Sequence, residues 1–430
     1  MNCKSLLSRS CAERMLIVSF PRMEPDSTVR KESVMSRKRP VNVALIGQAF
    51  MGRAHSNAWT QVNRFFSPPR TAFMHTLVAR NEDTLKDFAP RWGWSRWSTD
   101  WKEVVRDPEI DLVDIGVPNN MHCRMAVEAL RAGKHVACEK PLAHTLTDGR
   151  KMVEAALAAK GRTFVWYNYR RCPAVAFAHQ LVQRGRIGSI RHVRATYLQD
   201  WADESVPLMW RFDKKIAGSG SNGDLNAHII DMVRFVTGEE IREICGAIFE
   251  TFIKERTKMT GSAAGGIAAG IKAGTGKGKV TVDDAVLMLA RLEGGAVAFF
   301  EATRMATGNH NRMGFEINGT KGGLRFNFER MNELEFYDAT EDRSVQGWHT
   351  INCTHGGSHP YAEAWWPECH VIGYEHTFAN QAYDILLALS GRKPTVALPD
   401  FDDACKTQRV LEAAAVSARQ KRWVKVSEVK

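Results

Sequence analysis

Val41-Asn-Val-Ala-Leu-Ile46 is a short apolar, β-branched run that stops at Gly47, and Gly52 follows at the head of a helical stretch. This pairing constrains the chain more than any other feature. A strand that is apolar throughout has both faces buried, as in parallel sheets covered by helices. The glycines of such a turn let the backbone reverse, approach a ligand closely and pack helix on strand. In Gly47-Gln-Ala-Phe-Met-Gly52 the first and third glycines of that fingerprint are kept, and Ala49 takes the second place. The free N–H groups at the helix start would face a diphosphate. Alone, a strand, glycine turn and helix are often purely structural. Here they open an alternating series, with strands expected at Phe73–Ala79, Leu112–Val117, His135–Cys138 and Thr163–Asn168. Helices are expected between them, at about 52–64, Thr84–Trp92, 122–132 and 147–160. The alternation predicts a doubly wound sheet, an α/β Rossmann domain over 39–168.

After about residue 170 the rhythm changes. A helix (174–184), a long strand (Ile190–Gln199) and a helix (Gly223–Thr237) lead into Cys245–Ile253, Ala285–Leu292, Ala296–Thr303, Phe315–Asn318 and Gly322–Asn327. Successive strands with short turns predict a mostly antiparallel open sheet, so 169–430 reads as an α+β domain for substrate and oligomer contacts. Two helices, about 373–390 and 401–419, close the chain. Thr260–Lys279, rich in Gly, Ala and Lys, reads as a mobile loop.

The net charge of +11 raises nucleic acid or a membrane surface as partners, but the first 40 residues hold nine Lys/Arg against four Asp/Glu. Residues 1–38 read as a disordered basic extension, and the remaining field is mild. Neither nucleic acid nor membrane is expected as a partner. No apolar stretch reaches the roughly 18–20 residues a membrane helix needs, and Met15–Phe20 is too short for a signal-peptide core. The nine Cys are scattered and include no C-x-x-C. That speaks against a disulfide framework or a zinc knuckle and for reduced thiols in a cytoplasm. His355, His359, His370, Glu375 and His376 cluster late in the chain, with Gly and Pro between them. No metal is expected there; the segment reads as a loop over the substrate site or a partner subunit.

The second strand ends in Val78-Ala79-Arg80-Asn81, without the carboxylate that usually holds the ribose of NAD. Arg80 is free to meet a 2′-phosphate, so the cofactor reading, NAD(P), leans to NADP. Stacking of Arg80 on adenine would leave NAD open. Lys140 follows the fourth strand, where ligands gather in open α/β sheets; it could equally be a surface Lys before Pro141. Asp224 and His228 are four apart on an expected helix and share a face, with Asp231 further along it. A carboxylate that fixes an imidazole makes a general acid/base pair. The bland alternatives are a helix N-cap and a satisfied core histidine.

Gly47-x-x-x-Met51-Gly52, Glu139-Lys140-Pro141 and Gly223-Asp224-Leu-Asn-Ala-His228-Ile-Ile-Asp231 together resemble the Gfo/Idh/MocA family of sugar dehydrogenases. Asn168-Tyr-Arg-Arg171, Thr196-Tyr-Leu-Gln-Asp-Trp201, Trp210-Arg211 and Ile216-Ala-Gly-Ser-Gly220 are similar to its levoglucosan and glycoside 3-dehydrogenase branch. The resemblance implies oxidation of a pyranose hydroxyl to a ketone, a homodimer or homotetramer, and a C-terminal helix that returns to the first domain. It implies that Gly47, Ala49, Phe50, Met51, Gly52, Arg80, Pro118, Asn119, His122, Glu139, Lys140 and Asn168 surround the cofactor. Lys140, Asp224 and His228 would be catalytic. Arg170, Arg171, Trp201, Trp210 and Arg211 become candidate contacts to a sugar or glycoside, since sugars bind through hydroxyls and through aromatic faces. Ordinary packing competes for each. Two rival functions stand beside the dehydrogenase: a redox-assisted glycosidase that keeps its NAD, and a non-enzymatic nucleotide sensor.

Overall fold

The computed structural model describes residues 39–260 and 273–429. The expected basic extension, 1–38, lies outside the described residues, as does much of the expected loop within 260–279. Six parallel strands form the first sheet: β1 (Val41–Ile46), β2 (Ala72–Val78), β3 (Arg96–Ser98), β4 (Leu112–Ile115), β5 (His135–Cys138) and β6 (Thr163–Val165). Their order is β3-β2-β1-β4-β5-β6, so the order in which the chain adds strands reverses between β1 and β4, the crevice where such sheets bind ligands. β1, β4 and β5 are buried almost throughout, as their apolar runs require. The edge strand β3 and the short helix Trp101–Arg106 escaped the sequence reading, since three residues set no period.

The second sheet has nine strands: β7 (Ile190–Leu198), β8 (Ile241–Glu250), β11 (Ala285–Leu292), β12 (Val297–Thr303), β13 (Arg312–Gly319), β14 (Gly322–Asn327), β15 (Glu333–Asp338), β16 (Trp348–Asn352) and β17 (Val424–Lys425). All neighbours are antiparallel except β7 and β12. β9 (Glu255–Met259) and β10 (Ala273–Lys279) pair as a separate ribbon, which corrects the expectation of a structureless loop through Lys279. Helices Pro173–Gln183 and Ala227–Thr237 cover one sheet face.

Helix Tyr374–Leu389 packs on helix Phe50–Phe65 of the first domain, and helix Phe401–Gln420 on helix Leu146–Ala158. Backbone closes the seam, with Val165 N–H donating to the Pro399 carbonyl at 2.8 Å. Ion pairs fasten the C-terminal helices to the rest of the second domain. Arg170 donates to Asp231 and Asp403, and Arg234 to Asp403 and Glu240. Arg171 donates to Asp384 at 3.0 Å and to the carbonyls of Val396 and Ala397. Arg170 and Arg171 were expected at the sugar. At 5% and 0% exposure, with their guanidiniums committed to carboxylates, they tie the C-terminal helices to the segment that follows β6 within the second domain.

Candidate active site

The glycine turn is built for close approach. Gly47 has φ +124°, and a Cβ on it would lie 2.2 Å from the Gly116 carbonyl oxygen. A Cβ on Gly52 would lie 2.3 Å from the Gly47 carbonyl oxygen. A larger residue at 47 pushes the turn away from the end of β4, and one at 52 pushes the helix start off the turn. Ala49 caps helix Phe50–Phe65, whose first turn carries no acidic residue. Its positive end is therefore left for an anion. Phe50 stacks on Tyr374 at 6.3 Å, and Met51 packs beside Gly116. Arg80 is exposed at the end of β2. A dinucleotide diphosphate fits this cradle.

The other expected cofactor neighbours are largely committed elsewhere. Pro118 starts the turn in which Asn119 donates its amide to the Ala217 carbonyl at 2.9 Å. That bond ties the end of β4 to the second domain. The His122 ring is fully buried between the carbonyls of Val117 and Pro141, so it braces two loops. Asn168, 2% exposed, donates to Thr377. Glu139 has both oxygens occupied, one by His55 and one by the backbone N–H of Lys140. These four side chains share a circumstance: a polar group near a buried crevice must find a partner, and protein partners are within reach.

Lys140 leaves the end of β5 and reaches across the crevice. Its Nζ donates to the Asp224 carbonyl at 2.8 Å and to Asp224 Oδ1 at 3.2 Å. Asp224 sits in a π turn, Asn222–Asn226, rather than in the regular helix expected from Gly223; helix Ala227–Thr237 begins only afterwards. Such turns gather at functional sites because they displace carbonyls from the regular ladder. Asp283 fixes the turn by accepting the N–H groups of Gly220 and Asn222.

Asp224 also accepts from Arg211 at 3.2 Å, and the Arg304 guanidinium lies 3.9 Å from Oδ2. Burial alone would raise this carboxyl, but Arg211, Lys140 and Arg304 outweigh it and hold the group far below the usual carboxylate range. Asp224 is thus a fixed anion. Its Oδ2 is buried without a hydrogen-bond partner, an acceptor position that a sugar hydroxyl fits.

His228 follows one turn later. No hydrogen bond joins it to Asp224, so the expected carboxylate–imidazole pair is replaced by a Lys140–Asp224–Arg211 cluster beside a free ring. The ring packs against Tyr169 at 4.6 Å and Tyr197 at 5.9 Å, and Nδ1 has no partner. Burial first, then Lys140, pushes His228 well below its ordinary value, leaving a neutral ring at neutral pH. Asp231, expected on the same face, points to Arg170 and is structural.

Trp210 lies under the Arg211 guanidinium at 4.7 Å, and Trp201 under Arg304 at 5.4 Å. Trp201 donates to Gln199, which donates to Asn311; Tyr197 and Tyr169 continue this wall back to His228. Of the expected sugar residues, Trp201, Trp210 and Arg211 therefore gather around Asp224. Arg304 and Asn311 were missed, because each reaches the site from the end of a sheet strand or a turn with no local motif; Gln199 stands inside Thr196–Trp201 but was not singled out. In the late segment, Trp365 packs on Phe65 at 4.5 Å and on His376 at 4.4 Å, against the first domain, while Tyr374 meets Tyr169 at 6.1 Å in the wall beside His228. Among the described residues, the atoms that converge as a metal-sized group belong to His75, Asp107 and Glu109.

Comparison with known proteins agrees with this layout. The profile of an oxidoreductase family with an NAD-binding Rossmann fold matches residues 41–169. That of the GFO/IDH/MocA C-terminal domain matches 175–325. Levoglucosan dehydrogenase of Pseudarthrobacter phenanthrenivorans is 40% identical over 90% of this chain and 99% of its own. A levoglucosan dehydrogenase complex with NADH and levoglucosan superposes with TM-score 0.82 at 38% identity, covering 90% of this chain and 99% of that one. An oxidoreductase domain protein from Kribbella flavida gives 0.83 at 44% identity, with the same coverage of each chain.

Proposed function

We propose, from the premise that this chain belongs to the Gfo/Idh/MocA family of oxidoreductases, that it oxidises one hydroxyl of a pyranose sugar or glycoside to a ketone, or runs the reverse. The contact of Lys140 Nζ with Asp224, at the crevice edge of β5 and beside an aromatic wall, carries this reading. A bound nicotinamide supplies the hydride acceptor. Lys140 donates a hydrogen bond to the reacting oxygen, while Asp224 keeps the ammonium in place. Neutral His228 accepts the hydroxyl proton. Trp201 and Trp210 offer ring faces, and Arg211 and Asp224 Oδ2 offer hydroxyl partners.

The cofactor is NAD(P), and the finer preference rests on Arg80. Its exposed guanidinium at the end of β2, with no acidic residue there, leans the reading to NADP; the NADH of the levoglucosan dehydrogenase complexes is the competing expectation. Arg80→Ala is expected to weaken NADP about tenfold or more, as loss of a charge-assisted phosphate contact does, and NAD little. Equal effects in a fluorescence titration of both cofactors would leave Arg80 as an adenine platform. The exposed face of the second sheet carries Ile248, Leu289 and Val297, which supports a homodimer or homotetramer. The described cysteines are all free, which suits a cytoplasmic enzyme.

The test of the activity is absorbance at the reduced-nicotinamide band, with NAD or NADP and a panel of glucosides, anhydrosugars, inositols and aldoses. A rise with a pyranose supports the dehydrogenase. No rise across the panel, with NAD retained through purification, moves the assignment to the redox-assisted glycosidase.

A further inference from the structure

His55 lies on helix Phe50–Phe65, just after the glycine turn, and is fully buried. Its Nδ1 is 3.1 Å from both carboxylate oxygens of Asp114 in β4. Its Nε2 is 3.0 Å from Glu139 Oε1 at the end of β5. Asp114 also accepts the indole N–H groups of Trp59 and Trp166, each at 2.8 Å. The second oxygen of Glu139 accepts the backbone N–H of Lys140 at 3.0 Å. One hydrogen-bonded line thus runs from the centre of the sheet to the residue that reaches the substrate.

An ionised carboxylate only accepts, and a neutral imidazole has a single N–H. A neutral His55 between two carboxylates would set lone pair against lone pair at one of them. Both contacts are satisfied when both ring nitrogens carry hydrogen. We propose that His55 is a resident imidazolium that clamps Asp114 to Glu139 and so positions Lys140 for its contact with Asp224. His55 is a positioning residue, and the inference rests on the role given to Lys140 above.

The surroundings agree. Burial would lower the imidazole, but Asp114 and Glu139 outweigh it and raise the group to about 9. The nearby titratable groups add no competing charge. Burial raises the Cys138 thiol and the Tyr374 hydroxyl and lowers His122. The rings of Trp166 and Phe378, at 4.4 and 5.6 Å, wall the remaining sides.

Nitrogen-15 spectra of the full chain labelled at histidine test the charge directly, with His55→Gln identifying the signal. Both His55 ring nitrogens are expected in the protonated form from pH 6 to 8. A neutral ring anywhere in that range overturns the proposal. In His55→Gln, turnover should fall about tenfold, the scale seen when an outer partner of a site residue is removed. KM for the sugar should stay within about twofold, and the pH profile of kcat should move. A lower melting temperature with an unmoved pH profile would make His55 merely structural and refute the positioning role. Glu139→Gln should release the ring to titrate, and a ring still charged in that variant would also count against the clamp. Should His55→Gln not fold, the wild-type spectra and Glu139→Gln still decide. A charged His55 in an enzyme whose Lys140→Ala variant turns over normally would sink the assignment of Lys140, not the charge of His55.

Discussion

Lys140→Ala is expected to cut turnover by about 100-fold or more, the usual cost of losing a group that handles a proton, while dinucleotide binding survives. The geometry separates the two. The diphosphate cradle is made of Gly47, Gly52 and the start of helix Phe50–Phe65, none of which touches the Lys140 ammonium. That ammonium meets the Asp224 carbonyl and Oδ1. Removing it strips Asp224 of one of three cations and His228 of its cationic neighbour. His228→Ala should fall by a similar factor, since it removes the neutral imidazole assigned to take the hydroxyl proton. Steady-state rates with the best sugar of the panel, paired with cofactor titration, check both. Near-normal turnover in both variants would remove the mechanism. Loss of cofactor binding in Lys140→Ala would instead make Lys140 part of the cradle.

Arg171→Ala should destabilise the protein by about 3–5 kcal/mol, the range for stranding one member of a buried ion pair. Arg171 and Asp384 are both 0% exposed, and the guanidinium also satisfies the carbonyls of Val396 and Ala397. Asp384 would keep the Tyr361 hydroxyl and the Thr395 N–H, too little to replace a charge. Replacing the pair together, Arg171→Met with Asp384→Leu, should recover part of the loss, because matched apolar groups often stand in for a buried pair. Urea midpoints measure this. A stable Arg171→Ala with a raised KM for sugar would return Arg171 to the substrate site.

The residues that the sequence made legible share a property: their signal is local or periodic. β1 and the glycines at 47 and 52 lie within twelve residues of one another, and the turn closes only if those glycines lack side chains. Lys140 was legible because it follows a strand in an alternating series, and such strand ends converge on one crevice whatever the loops do. Asp224 was legible through its spacing from His228, although the π turn that carries it was not; one extra residue per turn leaves no compositional mark.

Asp114 gave a signal that could have been read. A carboxylate inside Leu112-Val-Asp-Ile115 stands in a strand buried on both faces, and buried carboxylates need partners. The sequence does not say which partners. His55 and Glu139 lie 59 and 84 residues from the groups they meet. The same holds for Arg170 and Arg171. Beside Tyr169 in a sugar-dehydrogenase-like motif they read as substrate contacts, yet Arg171 pairs with a carboxylate 213 residues away.

By itself, then, the sequence determined the two classes of sheet, though not the strands β3 and β15 to β17, together with the glycine turn and the lysine at the crevice, because hydrophobic period and glycine geometry act over a few residues. Only the tertiary structure decided which polar side chains face the crevice and which fasten the C-terminal helices. A charge settles where its desolvation is compensated, and the compensating group arrives from a distant element that no local pattern announces.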